Sequence, residues 1–241
     1  MASKNPGACC VHATLHEGEP KGQHQIVAGV DSYVAGAENG NDNIIVILPD
    51  IYGYKFKNNM LIADEVARLG KYKVLVPDLA EGGDPPASLE FLPAWFEKHP
   101  NETTTRIVKE YLTTLYKETT PKFLGGIGHC YGAKFAIEQA SKDGNFDAIA
   151  IAHPSQVSID QVKALTKPIL ISAAETDPIF TRELRWETEE ALTEIKVRYQ
   201  MDLFQGVSHG YAVRGDITNP SVKYAKEKTL TDQLAWFSQF K

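Results

Sequence analysis

Five residues in this chain have side chains able to do chemistry and stand where a ligand would meet them: Asp50, Cys130, His153, Asp177 and His209. Each lies just past a short apolar run, at 44–48, 123–127, 148–152, 168–172 and 197–204. Cys130 is the centre of Gly128-His129-Cys130-Tyr131-Gly132, the form of a nucleophile elbow with Cys where Ser is commoner. On such a strand-to-helix turn the flanking residues must lack a β-carbon, or strand and helix collide. The turn would leave the Cys130 side chain exposed at the strand's carboxyl end. The helix N-terminus behind it would lower a thiol pKa and stabilise an oxyanion. His209 would take the thiol proton and later return it to a leaving group, and Asp177 would hold the other imidazole nitrogen and stabilise the imidazolium. The oxyanion would then sit between the backbone N–H groups of Tyr131 and of Ile51, the latter in the loop after the first buried strand. Each residue also has a plainer reading. A His in a Gly-rich loop is usually a turn residue, and Asp177-Pro178 makes a good turn or helix cap. Three suitable residues at three strand ends weigh against coincidence. His153 has no part in this scheme and is expected to pack or hydrogen-bond near the rim, where it could touch substrate.

The elements that must hold these residues alternate along the chain. A hairpin is expected over 25–35, turning at 29–31, followed by a strand at 44–48 that is apolar on both faces. A helix from near Asn58 to Leu69 stops at Gly70, and a buried strand covers 72–76. The stretch 82–100 breaks regular structure repeatedly. It reads either as a lid bringing Phe91, Trp95 and Phe96 to a pocket or as a surface connection with its aromatics tucked in. Asn101 caps the next helix, and the elbow helix runs over 133–140. A helix over 181–195 precedes the strand at 197–204. Asn219-Pro220 opens the last helix, whose Val222, Leu230, Leu234 and Phe237 form one stripe. Strands alternating with helices predict one α/β domain over 1–241, with a mostly parallel sheet covered on both faces. Residues 1–24 are expected to pack on it or trail from it.

Composition narrows the function. With 241 residues, 43% of them hydrophobic and 23% charged, the chain has an ordinary globular make-up. A net charge of −6 gives no footing for nucleic acid or an anionic membrane. Three cysteines are too few for a disulfide framework, and a free thiol at the elbow suits a reducing compartment. No apolar leader or membrane-length run is present, so a cytoplasmic protein is expected. Cys9, Cys10 and His12 offer metal donors, but vicinal cysteines do not readily share one tetrahedral ion. No metal or other cofactor is expected.

Nucleophile, then acid, then His, each after a successive strand, is the chain order of the α/β-hydrolases. Gly128–Lys134, the Asp177 turn and Ser208-His209-Gly210-Tyr211 resemble the dienelactone hydrolase family, with similarity from about residue 25 to the end. Pro6-Gly7-Ala8-Cys9-Cys10 and Ile151-Ala-His-Pro-Ser155 are similar to its fungal, notably yeast, branch. The resemblance implies an α/β-hydrolase fold, a Cys130, His209, Asp177 triad, and a small ester or lactone as substrate. It also implies that Asp50 helps generate the thiolate, although family enzymes of the bacterial type carry Glu there. Arg214 resembles an arginine that binds the substrate carboxylate, with Tyr211 beside it at the pocket rim. The second arginine of that clamp is absent, since Ala80-Glu81-Gly82 follows Pro77-Asp78-Leu79.

A thiolate attacks well but also leaves well, which favours activated esters, lactones and thioesters over amides. A hydrolase working through an acyl-thioester is therefore the leading expectation, as a monomer or homodimer. Two alternatives stand beside it: a redox or electrophile sensor built on Cys130, and a ligand-binding protein on the same fold without catalysis.

Overall fold

The run Ile44-Ile-Val-Ile-Leu48 has no polar face, and a strand of that kind is stable only with helices on both sides of its sheet. In the computed structural model, which describes residues 13–83 and 91–241, it is strand β3 (Asn43–Leu48), with all five of those side chains fully buried. Seven further strands complete one sheet: β1 (Gln23–Val27), β2 (Val30–Ala35), β4 (Lys73–Pro77), β5 (Phe123–His129), β6 (Ala148–Ala152), β7 (Ile169–Thr176) and β8 (Tyr199–Ser208). Their order across the sheet is β1-β2-β4-β3-β5-β6-β7-β8. The β1–β2 and β2–β4 pairs are antiparallel and every other pair is parallel. The parallel strands all point their carboxyl ends at one edge of the molecule. Asp50, Cys130, His153, Asp177 and His209 follow those ends.

Successive side chains of a strand face opposite ways, so one sheet feeds two cores. Ile45, Ile47, Phe123 and Ile127 pack under α1 (Lys57–Gly70) and α8 (Pro220–Phe237). Val46, Leu48 and Leu124 pack under α3 (Asn101–Thr119), α4 (Tyr131–Glu138), α5 (Ile159–Lys163) and α6 (Arg182–Ile195). In α3 the spacing of Val108, Tyr111, Leu112 and Leu115 lines one face, and all four are buried. Each such side chain contributes about 1.5–3 kcal/mol by leaving water.

Several local expectations shift. The hairpin turns on two residues, Ala28 and Gly29 (φ 48° and 82°), since Val27 already pairs with Val30. Two successive positive φ values match the right-handed twist of the flanking strands, and Asp31 is thereby drawn into β2. Asn101 is the first residue of α3 rather than its cap; Pro100 holds that place. Within 82–100, residues 92–98 form α2 (Leu92–Lys98), while 84–90 lie outside the described residues. Cys9, Cys10 and His12 lie outside them as well. From residue 13 onward the N-terminal segment packs on the body. The Thr14 amide donates to the Arg214 carbonyl (3.0 Å), and the His16 amide to Asn58 Oδ1 (2.9 Å). Among the described residues no helix is long and apolar enough to cross a membrane.

Candidate active site

Cys130 sits between β5 and α4 with φ 49° and ψ −109°, a backbone conformation an L-residue adopts at a cost of roughly 1–3 kcal/mol. Its neighbours hold it there. The Cys130 amide donates to the Ala152 carbonyl (3.1 Å), and the Cys130 carbonyl accepts from Ser155 (3.0 Å) and Ala133 (3.2 Å). The two elbow glycines are needed for close approach. A β-carbon on Gly128 would lie 2.6 Å from Ala133 Cα, and one on Gly132 would lie 2.0 Å from the Leu48 carbonyl oxygen. Strand, turn and helix are thus pressed together by backbone contact, which only glycine permits.

The Cys130 sulfur is 3.1 Å from His209 Nε2, and His209 Nδ1 is 2.9 Å from Asp177 Oδ2. Asp177 Oδ1 accepts from the amides of Ile179 and Phe180, both at 2.9 Å, so the carboxylate is fixed on both oxygens. The His209 amide donates to the Thr176 carbonyl (3.2 Å), past a bulge where the β7–β8 register slips between Ala174 and Thr176. That irregularity, followed by Gly210 at φ 90°, turns the His209 ring over the end of β7. The side chains of His209 and Asp177 are wholly buried. Burial alone would push the His209 pKa down. The charge of Cys130, the hydrogen bonds to Asp177 and Cys130, and the charge of Asp177 outweigh it and raise the pKa to about 10. These partners therefore favour the protonated, imidazolium form of His209.

The Cys130 side chain, expected to be exposed, is fully buried. A cavity of ≈ 80 Å³ lies beside the elbow, lined among others by Asp50, Ile51, Tyr52, Trp95 and Tyr131. It brings Ile51 and Tyr131, the two expected oxyanion donors, to one space. It is far smaller than the roughly 300–1,000 Å³ of an ordinary small-molecule site. A larger cleft of ≈ 720 Å³ opens between α1, α8 and the segment 16–22. Cys130 does not line it, so volume alone does not mark the site.

Two expected substrate-binding residues, Arg214 and Tyr211, are placed differently from expectation. Arg214, in α7 (Tyr211–Arg214), is buried rather than presented to a pocket, and its Nη1 donates to Asp50 Oδ2 at 2.8 Å. A cation buried next to a carboxylate pairs with it, because either charge alone would be costly to desolvate. Asp50 Oδ1 accepts from the Tyr52 amide and from Asn59 Nδ2, both at 3.2 Å. Burial, and then the Cys130 charge, push the Asp50 pKa up against the pull of Arg214. Tyr211 is buried too, its hydroxyl 2.8 Å from Thr229 Oγ1, and forms no pocket rim.

His153 was expected near a rim and instead lies fully buried at the centre, with φ 39°. Its ring is 5.1 Å from that of His209, 5.8 Å from that of Tyr211 and 6.0 Å from that of His129. One ring nitrogen lies within 4.8 Å of the Cys130 sulfur, with which it interacts. Burial lowers its pKa to about 4, only partly opposed by the Cys130 sulfur. The signal was its position after β6, the same strand-end placement that pointed to Cys130, Asp177 and His209.

A profile of the dienelactone hydrolase family matches residues 30–241. The chain is 34% identical to hydrolase pyvD of Aspergillus violaceofuscus, over all of this chain and 99% of that protein. It is 33% identical to dienlactone hydrolase 1 of Gibberella moniliformis, over 98% of this chain and 94% of that one. Among solved structures, the dienelactone hydrolase-like promiscuous phosphotriesterase P91 from metagenomic libraries superposes with a TM-score of 0.72. It covers 91% of this chain and 98% of its own at 17% identity, a likeness of fold.

Proposed function

The chain belongs to the dienelactone hydrolase family and is an ester or lactone hydrolase, and we propose that it works through a Cys130–His209–Asp177 triad and an acyl-thioester. The observation that carries this reading is the unbroken line from Cys130 Sγ through His209 to Asp177, with contacts of 3.1 and 2.9 Å. The thiolate attacks the substrate carbonyl, and the developing oxyanion accepts from the amides of Ile51 and Tyr131. His209 gives its Nε2 proton to the departing alkoxide, leaving the acyl group on sulfur. It then takes a proton from water, the hydroxide adds to the thioester, and the thiolate leaves. Asp177 accepts from Nδ1 throughout and keeps Nε2 directed at the sulfur.

Asp50 and Arg214 act as a buried pair in this scheme. Asp50 influences the thiol through its charge, and Arg214 neutralises that charge until an anionic substrate competes for it. The ≈ 80 Å³ cavity favours a small acyl group. The sensor alternative turns on whether Cys9 or Cys10, which lie outside the described residues, reaches Cys130.

The test is a panel of p-nitrophenyl esters, enol lactones and thioesters assayed with wild type, Cys130→Ser and Cys130→Ala. Rapid acid quench and mass spectrometry should show the wild-type chain heavier by one acyl group, and the Cys130→Ala chain unmodified. Equal turnover by wild type and Cys130→Ala would end this reading.

A further inference from the structure

His153 carries an unexplained cost. Burying an imidazole costs free energy, its ring interacts with the Cys130 thiol, and the hydrolytic scheme gives it nothing to do. What surrounds it is specific. The Cys130 sulfur, one ring nitrogen of His153 and one of His209 all lie within 4.8 Å of one another. A thiol and two imidazoles are the donors that bind zinc, whereas magnesium, calcium and manganese prefer oxygen.

The far side of the cluster also suits a metal. A histidine that ligates through one nitrogen usually donates its other N–H to a carboxylate, which fixes the ring and strengthens the ligand. His209 has that arrangement, with Nδ1 at 2.9 Å from Asp177 Oδ2 and Nε2 directed at the cluster.

We propose that Cys130, His153 and His209 form a three-donor site for a thiophilic divalent cation, Zn²⁺ above all, and that occupancy blocks the triad reversibly. The block rests on the function proposed above; the binding does not. With Zn–S near 2.3 Å and Zn–N near 2.0–2.1 Å, a tetrahedral ion sets its donors about 3.3–3.6 Å apart. Sγ and His209 Nε2, at 3.1 Å, are already at about that separation. His153 has to close by no more than about 1.5 Å, a modest turn of its ring. On binding, the proton shared by Cys130 and His209 leaves to solvent. Bonds form from Zn²⁺ to the thiolate sulfur, to His209 Nε2 and to one His153 nitrogen, and water takes the fourth place. The site then carries a net single positive charge, with the Asp177 carboxylate behind it. No electron is transferred. The nucleophile's lone pair and the base's nitrogen are both committed to the ion, so hydrolysis stops until a chelator removes it.

The test uses the full chain with Cys9→Ser and Cys10→Ser, which removes the other thiols as competing ligands. Co²⁺, a spectroscopic stand-in for Zn²⁺, is titrated at neutral pH. One equivalent should bind with a thiolate-to-cobalt charge-transfer band in the near ultraviolet, and Zn²⁺ should displace it. The band should vanish in Cys130→Ser. His153→Phe, and His153→Gln should the Phe variant not fold by circular dichroism, should weaken binding at least tenfold. In parallel, Zn²⁺ inhibition of ester hydrolysis, scaled to each protein's own rate in chelator, should need at least tenfold more metal in the His153 variant. Equal affinity in parent and His153 variants, or a bound ion without the thiolate band, overturns the proposal. A bound ion with the band, the His153 dependence and no hydrolysis in any preparation supports the site and sinks the proposed function instead.

Discussion

Two imidazoles, His153 after β6 and His209 after β8, stand 5.1 Å apart and are both buried. One is raised to about 10 and the other lowered to about 4. Burial acts on both in the same direction. The difference lies in their partners: His209 has Asp177 on one nitrogen and Cys130 on the other, and His153 interacts with the Cys130 thiol but with no carboxylate among the described residues. A buried histidine is therefore not a uniform thing. Its charge is set by the number of acidic partners within bonding distance, and a few ångströms of backbone decide that number.

The largest expected effect separates the two rings by activity. His209→Ala should lower kcat/KM on the best ester by on the order of 10³ or more, about 4 kcal/mol, because the thiolate loses its counter-charge and the leaving group its acid. His153→Phe should cost about tenfold at most. Equal losses would make His153 part of the catalytic chemistry and erase the contrast.

A second effect is read in stability. A His153 pKa lowered to about 4 means that the unfolded chain, near 6.5, takes up the proton first. Stability from this group is complete above about pH 6.5 and is lost as pH falls from there through about 4, with a total of roughly 3 kcal/mol. His129 is lowered too, by burial and then by the charge of His153, so wild type should show both contributions. Urea unfolding between pH 7 and 4 should give a shallower loss in His153→Phe than in wild type. Parallel curves would mean that His153 is protonated in the native protein.

The smallest effect concerns Asp50. Its carboxylate should hold the thiol pKa slightly up by like-charge repulsion, and its removal leaves Arg214 as an added positive charge nearby. The pH profile of iodoacetamide reaction at Cys130 should move to lower pH in Asp50→Asn, by about one unit or less. A move to higher pH would restore Asp50 as the base that takes the thiol proton.

The sequence made the strand ends legible, because apolar runs of five residues stop abruptly and the chemically able residues follow. The elbow was legible for the same reason, with two glycines at fixed spacing around Cys130. Contacts between distant parts of the chain were not. The Arg214–Asp50 pair joins residues 164 apart, and no local pattern announces it. Nor did residue type reveal that Cys130 would be buried: exposure depends on what the loops after β3 and β4, with Trp95 of α2, lay beside the elbow. His153 was visible as a strand-end residue. That it would lie against the Cys130 sulfur and the His209 ring could be seen only once the strands were in place.

At the corner formed by α7 the segment from residue 13 onward meets the stretch after β8. Thr14 bonds to Arg214 and His16 lies 2.9 Å from the Gly215 carbonyl, 199 residues away, while Arg214 reaches back to Asp50. A chain emerging from the ribosome displays its nucleophile 79 residues before its imidazole, the separation of Cys130 from His209. During that interval the thiol has neither its imidazole nor the corner that anchors the far side of the site. Contacts of such long sequence separation form late and close slowly. A protein with a reactive sulfur thus keeps it chemically quiet through much of its synthesis, and arms it only when β8 and the turn carrying His209 have been made.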